Sequence, residues 1–117
     1  MTANALSIDL EFWWCNEFLN GYLPRDREDM FMESLRPLFA SLDAFNVKAT
    51  FFVLGAVAER YPEVVHEIHR SGHEIACHAY SHKPLYSLDR REFEGELSRS
   101  LELLADYNPV GFRAPSF

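Results

Sequence analysis

Val47-Lys48-Ala49-Thr50-Phe51-Phe52-Val53-Leu54 is the stretch on which the fold turns. β-Branched and aromatic residues fill it without the alternation of a half-wet strand, so it reads as a strand buried on both faces. Its neighbours agree. Upstream, Ala5 to Phe12 (ALSIDLEF) alternates with period two, setting Ile8, Leu10 and Phe12 opposite Asp9 and Glu11. Between these runs Met30, Leu35, Leu38, Phe39 and Leu42 recur at helical spacing. Downstream, Pro62 suits a first helical turn, Val64, Val65 and Ile68 form the apolar stripe, and Gly72 closes it. His73 to Ala76 reads as a third, shorter strand. Asp89 with Glu92 three residues on has the form of a capping box, opening a helix that carries Phe93, Leu97, Leu101 and Leu104. Asn108-Pro109 ends that helix, and Val110 to Arg113 reads as a fourth strand. The expected architecture is an α/β, parallel βαβαβαβ unit joined by right-handed crossovers. In such sheets reactive groups gather at the carboxyl ends of the strands.

A chain of 117 residues has room for one domain, and no repeat, linker or low-complexity tract divides it. Eighteen acidic residues against eleven basic ones give a formal charge of -7, with no basic run, which argues against a nucleic-acid partner. The longest nearly apolar stretch, Ala49 to Ala58, is ten residues. A membrane span needs about 20, so this is expected to be a buried strand and the turn after it. Met1-Thr2-Ala3-Asn4 shows no basic n-region, so no secretory signal is expected. Cys15 and Cys77 form no CxxC and no disulfide framework, which fits a reducing compartment and a cytoplasmic location.

Asp9 and Glu11, two apart near the end of the first strand, project to the same side. Two acids on a buried face need a cation or donors, whereas on an edge strand they simply face water. His78 and His82 form an H-x-x-x-H pair just past the third strand. A single helical turn there would bring both imidazoles to one side. His69 and His73 share the spacing, but Ser71-Gly72 separates them and places them at the wrong end of the strand. They and His66 read as surface or boundary histidines. Two imidazoles and a carboxylate form a standard ligand set for Zn²⁺, which lowers the pKa of a bound water to about 7. A second carboxylate off the metal could take the water's proton. Arg113, ending the fourth strand, is either a rim arginine or the group that orients a site carboxylate. Trp13 and Trp14, directly after strand one, either cover the core or stack on a sugar ring.

These segments resemble the polysaccharide deacetylase family, the NodB-homology carbohydrate esterases. Ser7-Ile8-Asp9-Leu10-Glu11 is similar to its first motif, His78-Ala79-Tyr80-Ser81-His82 to its H-[ST]-x-x-H motif, and Arg113-Ala114-Pro115-Ser116-Phe117 to its R-x-P-aromatic motif. Ala49-Thr50-Phe51-Phe52-Val53-Leu54-Gly55 and Gly72-His73-Glu74-Ile75 also look like family text. The resemblance implies a distorted (β/α) barrel and metal-dependent removal of N-acetyl groups from amino-sugar polymers. It implies Asp9 as the base and Glu11, His78 and His82 as ligands of a divalent metal, Zn²⁺ above all. Arg113 would then orient Asp9, and the backbone N–H of Ser116 would help bind the oxyanion.

The chain departs from the family pattern in several respects. Leu10 separates the two acids that are adjacent in most members, a D-x-[DE] form found in a subset, which leaves open which acid binds metal. Ala79 replaces the usual Ser or Thr, and Ser116 stands where tyrosine is frequent. No histidine follows His82, so the family's late general acid is not in this sequence. Four βα-type strands amount to about half of a barrel of roughly 250 residues. The chain is therefore expected to be the N-terminal part of such a domain, spanning 1–117, as a fragment, a truncated product or a half completed by a second copy. The rival expectations are an inactive metal- or glycan-binding module and a structural remnant.

Overall fold

The computed structural model describes residues 3–116. Three parallel strands form the sheet, in the order β1 (Ser7–Leu10), β2 (Thr50–Val53), β3 (Glu74–Cys77). Helix α1 (Phe31–Ala44) links the first pair, helices α2 (Gly55–Arg60) and α3 (Pro62–Arg70) the second, and α4 (Arg90–Leu103) follows β3. The α/β reading holds. The capping box at Asp89 is formed, with its carboxylate accepting from Glu92 N at 2.8 Å and the Glu92 carboxylate accepting from Asp89 N at 2.9 Å. Pro62 opens α3, and Gly72 turns the chain toward β3 with φ +83°.

The expected fourth strand is reduced to a parallel bridge between Cys77 and Phe112. Cys77 N donates to Gly111 O at 2.8 Å and Arg113 N to Cys77 O at 3.0 Å. Asn108 is left-handed (φ 49°) and Pro109 has no N–H to give, so the chain reaches the sheet edge too late for a longer ladder. Helix α2 is the second difference. The apolar run after β2 is not a mere turn, because Gly55, Val57 and Ala58 bury themselves in a helix before Tyr61.

The strand register sorts side chains between two faces. Ile8, Leu10, Phe51, Val53, Ile75 and Cys77 point into the helix-covered core, where Leu35, Leu42, Val64, Val65, Ile68 and Leu104 meet them. Asp9, Phe52 and Ala76 are register partners on the other face. Phe52 is only half-buried, so β2 is not sealed on both sides as its composition suggested; the Arg113 guanidinium lies 4.0 Å above its ring. Cys15 and Cys77 are free thiols.

Candidate metal centre

The same parity builds the site. Leu54 N donates to Leu10 O and His78 N to Val53 O, which carries the ladder one residue past β2 and β3. Glu11 and His78 thereby continue the face of Asp9 and Ala76. The Cys77–Phe112 bridge brings Arg113 level with His78 on that face. Four residues from three distant segments thus meet at the carboxyl end of the sheet.

One carboxylate oxygen of Glu11 lies 2.7 Å from His82 Nε2 and 3.3 Å from His78 Nε2. Ligand atoms of Glu11, His78 and His82 all fall within 4.8 Å of one another. Both imidazoles are sealed, at 2% and 5% side-chain exposure, while Glu11 keeps 29%. Asp9 stands slightly back, its Oδ2 4.0 Å from His78 Nε2 and its Oδ1 accepting from Arg113 Nη1 at 2.6 Å. Arg113 also donates to Ser7 Oγ at 2.7 Å. Glu11 therefore faces the histidines and Asp9 faces the arginine. Burial raises the Glu11 pKa, yet the hydrogen bonds and charges of His78 and His82 outweigh it and bring the carboxyl down to about 2. His82 is pushed above its ordinary value, chiefly by its hydrogen bond to Glu11. The donor set, two sheltered imidazoles and one carboxylate held ionised, suits a zinc-type divalent ion.

The His78–His82 segment is not the helical turn expected of it. Ala79 and His82 are left-handed (φ 59° and 65°), and the loop doubles back so that the two rings sit edge to face, 5.4 Å apart. Its shape comes from partners elsewhere. Glu96 of α4 accepts from Tyr80 N (3.0 Å), Ser81 N (2.8 Å) and Ser81 Oγ (2.6 Å). Gly55 N donates to Ala79 O at 2.8 Å. A Cβ on Gly55 would lie 2.6 Å from Tyr80 Cδ2 and 3.2 Å from Tyr80 Cα, so only glycine allows this approach. Glu96 was not among the expected site residues, and nothing in the local text of α4 marks it.

His73 takes the boundary alternative, at the start of the third strand, and is buried there, accepting from Ala49 N at Nδ1 (3.2 Å) and packing 5.2 Å from Phe51. It lies at the amino end of β3, away from Glu11, while His66 and His69 are exposed. Trp14 stacks on Phe12 at 4.7 Å, and Trp13 donates from Nε1 to Glu28 O at 3.2 Å. Trp14 also lines a cavity of about 600 Å³ with Cys15, Glu17, Ser81, His82 and Tyr86. Ser116 is left-handed (φ 52°) and lies beside Glu17, whose carboxyl it holds below the usual range. Phe117, the aromatic of the third motif, lies outside the described residues.

Known proteins match this sequence and backbone. The polysaccharide deacetylase family model matches residues 27–116, which takes in His78, His82 and Arg113 but starts after Asp9 and Glu11. A peptidoglycan-N-acetylglucosamine deacetylase of Bacillus cereus is 37% identical over 87 residues, covering 72% of this chain and 32% of its own length. A peptidoglycan deacetylase of Helicobacter pylori is 32% identical over 128 residues, covering 98% of this chain and 41% of its own. A solved peptidoglycan N-acetylglucosamine deacetylase superposes with a TM-score of 0.72 at 31% identity, over 95% of this chain and 45% of that one. The chain thus spans less than half the length of these relatives. Because the family match runs through most of the sequence and the shared backbone through nearly all of it, the chain belongs to the polysaccharide deacetylase family.

Proposed function

We propose that this chain carries the metal-binding half of a hydrolase that removes N-acetyl groups from an amino-sugar polymer, with Zn²⁺ as the ion. The convergence of Glu11, His78 and His82 beside the Asp9–Arg113 pair carries the reading. Glu11 Oε2 and the two Nε2 atoms are the ligands. Such an ion supplies Lewis acidity and a more acidic water at neutral pH. Asp9 is the base: it sits on the same strand face as Glu11 but is held off the histidines by Arg113, which fixes the direction of its free oxygen. The Ser116 backbone N–H is the proposed donor to the developing oxyanion. Activity belongs to the whole domain, of which this chain spans less than half by the lengths of its relatives.

The test pairs zinc content after dialysis with acetate release from an N-acetylglucosamine oligomer. His78→Ala is expected to lose the metal, and Asp9→Asn to keep it while any acetate release stops. A His78→Ala protein with undiminished zinc would overturn the ligand assignment. Acetate release untouched by Asp9→Asn would favour a binding role instead.

A further inference from the structure

His78 and His82 are the two imidazoles of the centre, and they are held differently. His78 Nδ1 lies 2.8 Å from the Arg113 carbonyl, which fixes that nitrogen as the donor and frees Nε2 to face Glu11. His82 also presents Nε2 to Glu11, but its Nδ1 is buried with no hydrogen-bond partner among the described residues. The nearest acceptor is Glu17, with Oε2 3.6 Å from Nδ1. Both oxygens of Glu17 are themselves buried and close no hydrogen bond of ordinary geometry among the described residues. A donor without an acceptor therefore sits beside a buried carboxylate whose contact with Ser116 leaves room for another donor, about half an ångström beyond hydrogen-bond distance by usual limits. Leaving a buried imidazole N–H unmet is costly, and closing this gap would satisfy it.

We infer that Glu17 is a positioning residue for the metal centre, accepting the Nδ1 proton of His82 and so directing its Nε2 at the ion. This rests on the proposed metal site. An imidazole that ligates through Nε2 carries its proton on Nδ1, and a carboxylate at that proton fixes the ring's orientation and strengthens it as a ligand. Glu17 would do for His82 what the Arg113 carbonyl does for His78. Its location supports the role: Asn16 caps the short turn Glu17–Leu19 by accepting from Phe18 N at 2.9 Å, so the carboxylate is presented by an ordered turn and not a free loop.

The test measures Zn²⁺ affinity by competition with a chromophoric chelator, and the visible spectrum of the Co²⁺-loaded protein. Glu17→Ala and Glu17→Met remove the acceptor, the second with little change in volume. Glu17→Gln keeps an acceptor oxygen. Removing the acceptor is expected to weaken Zn²⁺ binding by about 10–100-fold and to alter the Co²⁺ spectrum, with Glu17→Gln between these variants and the wild type. Unfolding midpoints of the metal-free proteins identify the variants that are folded. A folded Ala or Met variant with wild-type affinity and spectrum would overturn the inference, as would a Gln variant no better than Ala. If His82→Ala abolishes binding while Glu17→Ala leaves it intact, only this inference fails. If the wild type binds no Zn²⁺, the proposed metal site fails with it.

Discussion

Glu96→Ala tests whether the histidine loop owes its shape to α4. The substitution deletes three charge-assisted hydrogen bonds, from Tyr80 N, Ser81 N and Ser81 Oγ. Each such bond contributes about 1.5–3 kcal/mol when the partner is left buried. Tyr80 and Ser81 are only half-buried, so their amides regain water as the loop relaxes and the total falls well short of the sum. A loss of about 3 kcal/mol is expected. For a chain of this size that lowers the melting temperature by about 12 °C. The second consequence is functional. His78 stays anchored by β3 and the Arg113 carbonyl, whereas His82 lies at the far end of the released loop. If the loop opens by about 1.4 kcal/mol, only a tenth of the molecules present both imidazoles, and Zn²⁺ affinity falls about tenfold. Glu96→Gln separates charge from geometry: its carbonyl oxygen can accept both amides, and its amide can donate to Ser81 Oγ, so about 1 kcal/mol is expected to be lost. Urea unfolding of the metal-free proteins and Zn²⁺ titration read the two effects. A Glu96→Ala protein within about 0.5 kcal/mol of the wild type would refute the argument, because a surface carboxylate is expected to behave that way.

Gly55→Ala sets a methyl against Ser100 Oγ and Tyr80 Cδ2, each at 2.6 Å, and against Tyr80 Cα at 3.2 Å. It is expected to cost about 1–3 kcal/mol in urea unfolding although alanine favours helices. Asp89→Ala removes the capping box and is expected to cost about 1 kcal/mol in the same assay, with Zn²⁺ affinity unchanged. The pH dependence of the metal-free protein follows from the Glu11–His82 pair. Glu11 is depressed to about 2, so its contribution is present above its ordinary 4.5 and is lost as pH falls toward 2. His82 is raised, so its contribution is full below its ordinary 6.5 and is lost as pH rises through the higher folded value. The pair therefore favours the fold most between these two ordinary values. Binding of Zn²⁺ needs His82 Nε2 without its proton, so the stabilisation by added Zn²⁺ is expected to grow from pH 5 to pH 8, read as the difference in unfolding midpoint with and without the ion.

What the sequence made legible is what periodicity carries. Alternation in Ala5–Phe12 placed Asp9 and Glu11 on one face, and the structure keeps them there with Leu10 turned into the core. The parallel sheet then lines up Glu11 and His78, because each follows a strand whose parity is readable from its apolar residues, and the Cys77–Phe112 bridge adds Arg113. Legibility fails where shape is imposed from a distance. The His78–His82 text has no helix breaker, yet Glu96 and Gly55 take its backbone groups and force Ala79 and His82 to positive φ. The fourth strand fails for a related reason, since Asn108 and Pro109 delay the chain's arrival at the sheet by residues that composition alone does not count.

Charge shows the same division between local pattern and assembled site. In a chain with eighteen acidic residues, no feature of the local sequence separates Glu17 or Glu96 from acids that only face water. Once folded, Asp9, Glu11 and Glu17 draw around two sealed imidazoles, with the Arg113 guanidinium against Asp9. Three carboxylates against one guanidinium leave a surplus of two negative charges at a partly desolvated site. Like charges so close are mutually destabilising unless something positive joins them. In the metal-free protein the proton held by His82 supplies part of that compensation, as its raised pKa indicates. A bound divalent ion would supply all of it and would displace that proton, so the residues that crowd negative charge at the metal-free centre are the ones that would make a metal-bound one stable.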